Sequence, residues 1–329
     1  MMPIQGSVNA LIESASRRGN IPDSQMTYLM SDFMAMAQEE LMAYALPVLH
    51  ARREDYYLEE IYFDINKPDV YIGASQFSTV KHLGYRLPEY AMASTIRDVQ
   101  AVTPSGSWYN IGRVVVDDVP NTVSQGWYFY GNYIVFQLNS VASTAPPIAL
   151  RCIVHVKPNQ LVPEDALFAD VTTQLTGIDQ SARVVTVTSP DVYVLDRPVT
   201  IPALGKVDII SGTPGYEVKI RNALSGAPVT SNTTISLATV PATPVVVGDW
   251  VTAVGFTPVV PLPLEMHALL AQRITVKFLE AQGEESQLAQ SRASLDEMVR
   301  QIPLLIQPRA EGKPKKLAPR LGLWRRWRW

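Results

Sequence analysis

Cysteine, histidine and charge are all scarce in this chain of 329 residues. Cys152 stands alone, which excludes an internal disulfide framework and a cysteine-based zinc site and suits assembly in a reducing cytoplasm. The four histidines, His50, His82, His155 and His267, have no metal-ligand spacing. No apolar run reaches the ~18 residues of a membrane span. The N-terminus MMPIQGSVNALIES lacks the basic n-region and continuous apolar h-region of a signal peptide, so the chain is expected to be soluble. The nucleophile elbow G-x-S-x-G, the phosphate loop G-x-x-x-x-G-K-[ST] and the dinucleotide fingerprint G-x-G-x-x-G are also missing, and no repeat suggests a solenoid. These absences argue against an enzyme: no catalytic, cofactor-binding or metal-binding residue is expected, and no cofactor.

What is present is apolar. With 47% hydrophobic and 18% charged residues, a chain this long can bury a sizeable core. Its 25 prolines and 18 glycines are too frequent for one helical rod and too dispersed for a low-complexity segment. Helical signals open the chain, from Ser7 to a stop at Gly19-Asn20, then from an N-cap at Asp23 or Ser24 along the apolar face Met26, Met30, Phe33, Ala37 and Leu41. Pro47 should kink or interrupt that helix. From Tyr56 to about Val260 the period changes to β-branched and aromatic clusters separated by turn residues. Candidate strands cover 58–65, 96–103, 108–111, 126–129, 133–137, 148–156, 184–188, 206–210, 217–220, 234–237 and 250–255. Gly131-Asn132 marks a tight hairpin. Helical period returns after Pro261-Leu262-Pro263, stops at Gly283, and resumes along Leu288, Arg292, Leu295, Val299 and Ile302 until Pro303.

The expected class is α+β: a helical bundle built from N- and C-terminal helices, with a large inserted β-rich region of two small modules and an extended C-terminal arm. The divisions fall at residues 1–56 for the N-terminal helices, 57–163 and 164–260 for the β modules, 261–308 for the C-terminal helical hairpin and 309–329 for the arm.

Residue by residue, most features read as structure. Cys152 reads as a small core residue on the face of its strand opposite His155. The adjacent acids Glu39-Glu40, Glu59-Glu60, Asp117-Asp118 and Glu284-Glu285 point different ways and read as solvated charge rather than a facing catalytic pair. Tyr56-Tyr57, Trp108-Tyr109 and Trp127-Tyr128 could stack on carbohydrate, but such pairs usually supply one inward and one outward ring.

The C-terminus differs. Residues 309–329 hold eight basic residues and one acid, a charge of +7; the whole chain carries −3, which leaves −10 for the first 308 residues. The string Trp324, Arg325, Arg326, Trp327, Arg328, Trp329 cannot bury itself without stranding guanidinium groups, and in water it exposes three indoles. It calls for a partner: an acidic protein surface, a nucleic acid backbone with stacked bases, or an anionic bilayer. Tryptophan and arginine are enriched at interface hot spots, which puts protein docking first.

Four strings, YRLPEYAMASTIRDVQAVTPSGSWYNI at 85–111, GWYFYGNYIVFQ, HVKPNQLV at 155–162 and PLPLEMHALLAQRITVKFLEAQG at 261–283, resemble the head-to-tail adaptor (connector) proteins of tailed bacteriophages. The resemblance covers most of residues 5–310; it is strongest in the C-terminal helical block and around 85–137, and weakest from 168 to 246. It implies a structural virion protein that forms a ring, commonly a dodecamer, under the portal, extends the DNA channel and offers a platform to tail nozzle or tail-tube proteins. The arm, with Trp324–Trp329, would reach the portal. Genomic DNA would pass without sequence-specific binding, no membrane is implied, and the place is the head-tail junction of the virion after assembly in the host cytoplasm. The runner-up is a phage tail component that binds or hydrolyses cell-wall glycan.

Overall fold

Ser7 starts the first helix by accepting a hydrogen bond from the Ala10 N–H at 3.2 Å, which satisfies one of the donors a helix leaves open at its N-terminus. Helix α1 (Val8–Arg18) ends where expected, but the left-handed residue is Asn20 at φ 50° rather than Gly19 at φ −80°. The computed structural model describes residues 6–20, 30–51, 53, 56–71, 80–103, 105–114, 125–139, 149–168 and 177–305. The expected cap at Asp23 or Ser24 and the acids Asp117 and Asp118 lie outside them.

Helix α2 (Met30–Glu40) continues into α3 (Leu46–His50) through a π turn at Leu41–Ala45. The α pattern is thus interrupted just before Pro47, but the chain stays helical through it. The wider turn lets the Leu46 N–H reach the Leu41 carbonyl, one residue beyond the α-helical partner, and Pro47 sits in the first turn of α3, where its missing N–H is not needed. After Pro263, α4 (Leu264–Gln282) closes on Gly283 at φ 75°, and α5 (Glu285–Leu305) runs past Pro303. Leu295 and Ile302 bury its inner stripe.

The expectation of a helical bundle carrying small β modules is overturned. Among the described residues strands take 40% and helices 28%, with four continuous helical segments. One antiparallel sheet has the order β1 (Leu58–Phe63), β8 (Ala149–Val156), β4 (Ala91–Val102), β5 (Trp108–Asn110). A second runs β2 (Val70–Tyr71), β3 (Val80–Arg86), β7 (Tyr133–Asn139), β6 (Gly126–Tyr130), with β6 and β7 joined at Gly131-Asn132. These two share one core, in which Phe63, Val99, Leu150 and Cys152 meet Leu83, Tyr85, Ile134 and Phe136. A six-stranded sheet follows: β13 (Val218–Leu224), β12 (Lys206–Ile210), β15 (Trp250–Ala253), β10 (Ala182–Ser189), β11 (Val192–Ile201), β14 (Val229–Ser236). Finally β9 (Gln160–Leu161) and β16 (Phe256–Thr257) pair in parallel.

The physical reason is the distribution of buried apolar surface. Three of the four cores are built chiefly by strands, and α5 presents only a narrow apolar stripe, so the helices form one layer rather than the frame of the molecule. That layer joins early and late segments of the chain. Phe33 stacks on Phe278 with centroids 5.2 Å apart, Thr275 Oγ1 donates to the Ala15 carbonyl, and the Val8 and Val260 N–H groups bond the Pro258 and Gly6 carbonyls at 3.0 and 2.9 Å. Gly6, at φ 89°, has the Tyr216 hydroxyl 1.9 Å from where a Cβ would stand, so a side chain there would collide with a buried ring. Glu40, expected as surface charge, is buried; it accepts from Arg273 Nε at 2.6 Å and faces Lys277 at 3.6 Å.

Candidate functional site

Where the sheets meet, five side chains far apart in sequence form a polar junction. Strand β12 carries Asp208 inward, and its carboxylate accepts from Asn159 Nδ2, the Asn222 N–H and the Gly255 N–H, each at 2.9 Å. Asn222 presents that N–H from a left-handed conformation, φ 54°. Asn159 turns its other end to Arg221 on β13, whose Nη1 donates at 2.8 Å while its Nε donates to Glu59 on β1 at 3.0 Å. The guanidinium also lies 4.5 Å from the centre of the Tyr90 ring, and the Tyr90 hydroxyl donates to Glu59 at 3.3 Å.

The planar fork of arginine suits this threefold role, and every charge at the junction meets an opposite charge or a dipole. Burial, with the Glu59 carboxylate adding to it, pushes the Tyr90 phenol up to about 12, so it stays protonated and serves as a donor. The junction opens on a cleft of about 610 Å³ that also touches Gln38, Glu89 and Lys157. A smaller cavity of about 170 Å³ lies between β1 and β13, lined in part by Tyr57, whose buried hydroxyl has no hydrogen-bond partner among the described residues. Such a cavity has room for ordered water.

A second cluster covers the outer face of the sheet β1-β8-β4-β5. Alternation puts Glu60 and Tyr62 of β1, Arg151 of β8, Gln100 of β4, and Trp108 and Asn110 of β5 on that face. Register aligns four of them in one row: Tyr62 opposite Arg151, Arg151 opposite Gln100, and Gln100 opposite Asn110. The row is bonded along its length. Arg151 donates to Glu60 at 2.8 Å and to Gln100 at 2.7 Å, Gln100 donates to Asn110 at 2.8 Å, and the Tyr62 hydroxyl donates to Glu60. The Trp108 ring rests on Arg151, 4.2 Å from the guanidinium carbon to the ring centre, and Tyr62 meets Trp108 at 66° with centroids 6.1 Å apart. Trp108 and Tyr62 remain 37% and 59% exposed.

Of the three aromatic pairs singled out in the sequence, only Trp108-Tyr109 splits as expected. Tyr56 with Tyr57 and Trp127 with Tyr128 are buried outright. Cys152 is fully buried, and desolvation pushes its thiol up to about 12, which leaves it inert. Among the described residues no group of three His, Cys, Asp or Glu side chains could hold a metal.

The fold does bring two of the scattered histidines together. His50 ends α3 and His155 lies on β8, with ring centroids 4.5 Å apart; His155 Nδ1 faces the Thr95 carbonyl at 3.2 Å. Burial, and next the neighbouring His155, lower His50 from 6.5 to about 4. Between those values the unfolded chain binds more protons than the folded one. The stability contributed by neutral His50 is therefore complete above about pH 6.5 and is lost as the pH falls toward 4. Because the ring is partly exposed, solvent screening reduces this to about 1–2 kcal/mol. Urea unfolding at neutral and mildly acid pH should show His50→Gln less sensitive to acid than the parent chain; an unchanged pH dependence would refute the assignment.

The predicted docking residues Trp324, Arg325, Arg326, Trp327, Arg328 and Trp329 lie outside the described residues. Sequence reasoning missed both polar clusters, since no local spacing links positions such as 59, 159 and 221. Comparison with family models, curated proteins and solved structures found no match to this chain.

Proposed function

We propose that this chain is a structural virion subunit: a head-to-tail adaptor that assembles as a ring, commonly of twelve copies, beneath a phage portal and extends the channel through which genomic DNA leaves the head. The observation that carries the reading is the division of charge, −10 over residues 1–308 against +7 over 309–329 with three tryptophans among the last six residues. An acidic body suits a conduit in which DNA must slide without sticking, and a cationic aromatic arm suits docking on a protein surface. The four adaptor-like strings add support. So does the helical layer in which α4 packs against both α1 and α5, a surface able to serve as a ring wall.

In this reading the partners are the portal protein, tail nozzle or tail-tube proteins, and further copies of the chain. A ring follows when a head-to-tail lateral contact repeats through a rotation that closes. Negative-stain microscopy of the purified protein, alone and mixed with portal, tests this. Closed rings capping the portal are expected. Particles that stay monomeric and leave the portal bare would reject the proposal.

A further inference from the structure

The outer face of the sheet β1-β8-β4-β5 carries a specific chemistry. Its row of polar side chains spans four strands, roughly 14 Å at the usual strand spacing. It is electrically closed: the Arg151 guanidinium is neutralised by Glu60 at 2.8 Å, so no free cation is left in the row to attract phosphate. What faces solvent is a pair of rings beside amides. Trp108 has one face seated on Arg151, which leaves its other face for a ligand, and Tyr62 stands at 66° to it, making a floor and a wall. Gln100 and Asn110 spend one bond on each other and keep further amide donors and acceptors.

We infer that this face binds a neutral saccharide, with a sugar ring stacked on Trp108, its edge against Tyr62, and its hydroxyls bonded by Gln100, Asn110 and Glu60. A pyranose carries weakly electropositive C–H groups on its faces and hydroxyls on its rim. The aromatic quadrupole attracts the first, and planar amides and carboxylates pair with the second. Size separates this from a protein interface. A four-strand row a few residues deep offers roughly 200 Å², well below the ~800 Å² per partner of a standard protein contact. Preorganisation favours it too: the bonds along the row and the Arg151–Trp108 stack hold both rings in place before any ligand arrives, which lowers the ordering cost of binding.

The test uses the full chain and three probes, maltotriose, lactose and the trimer of N-acetylglucosamine, followed by tryptophan fluorescence and by saturation-transfer NMR. Saturable binding of at least one is expected, weakened about tenfold or more in both Trp108→Ala and Tyr62→Ala and unchanged in Tyr130→Ala, an exposed ring elsewhere. Unfolding curves that match the parent establish that the two variants fold. Affinity should hardly change as salt is raised. Steep weakening with salt would mean that charge, rather than stacking and neutral hydrogen bonds, holds the probe and would overturn the assignment. Absence of binding by all three probes would overturn it, as would binding indifferent to both substitutions or a partner protein lost on Trp108→Ala. None of these outcomes bears on ring formation.

Discussion

Asp249→Ala is expected to destabilise the protein by about 3–5 kcal/mol, the range for removing one member of a buried ion pair. Asp249 closes the turn before β15 with a side chain that water does not reach, and three donor groups converge on it in four contacts. Lys219 Nζ sits 3.0 and 2.7 Å from its two oxygens, the Gly212 N–H donates to Oδ1 at 3.0 Å, and the Val246 N–H donates to Oδ2 at 2.8 Å. Alanine removes all four acceptor contacts and strands an ammonium that is only 17% exposed. The Lys219→Met change in the same background should restore part of the loss, since the orphaned charge is then gone. Urea unfolding of the single and double variants measures both. A loss below about 1 kcal/mol would mean that the pair behaves as a surface bridge.

On the adaptor reading proposed above, deleting residues 310–329 is expected to abolish portal capture while leaving the unfolding midpoint of the body unchanged. Composition and multivalency both act through the arm. Buried tryptophans and arginines at an interface centre each contribute about 2 kcal/mol or more by truncation, and many arms on one ring raise the apparent affinity by a further 10²–10⁴. Loss of the arm removes both effects together. Replacing Trp324, Trp327 and Trp329 by alanine should reproduce most of the deletion even though the basic residues remain. Co-sedimentation of the ring with portal reads the result, and undiminished capture by the truncated chain would reject the assigned role of the arm.

Legibility in the sequence followed the range of the interactions. Local signals worked where chemistry is local: the helix start at Ser7, the Gly131-Asn132 hairpin, the Pro263 start and Gly283 stop of α4. Strands with internal contradictions escaped notice. β11 carries Asp196, Arg197 and Pro198 in its middle, a run that reads as a turn, and the sheet absorbs it at a register shift between Val194 and Val199. β3 has Gly84 at its centre. Glu40 was misread because a charge on a helix looks solvated until the partner helix supplies Arg273, 233 positions away. Glu59 met Arg221 for the same reason, across 162 positions. The weight given to helices also came from local period, which measures how well a segment forms and not how much core it supplies.

The bonds that tie Val8 to Pro258 and Gly6 to Val260 set an order on the birth of the molecule. At ribosomal speeds of about 5–20 residues per second, α1 leaves the exit tunnel roughly 13–50 s before the segment that receives it exists. Through that interval its apolar stripe, Val8, Leu11, Ile12 and Ala15, has no native surface to cover it. The β sheets can close as they emerge, while the helical layer has to wait for the last third of the chain. Nascent-chain proteolysis would register this as late protection of residues 8–18, and a chaperone that shields short apolar helices would find its target there.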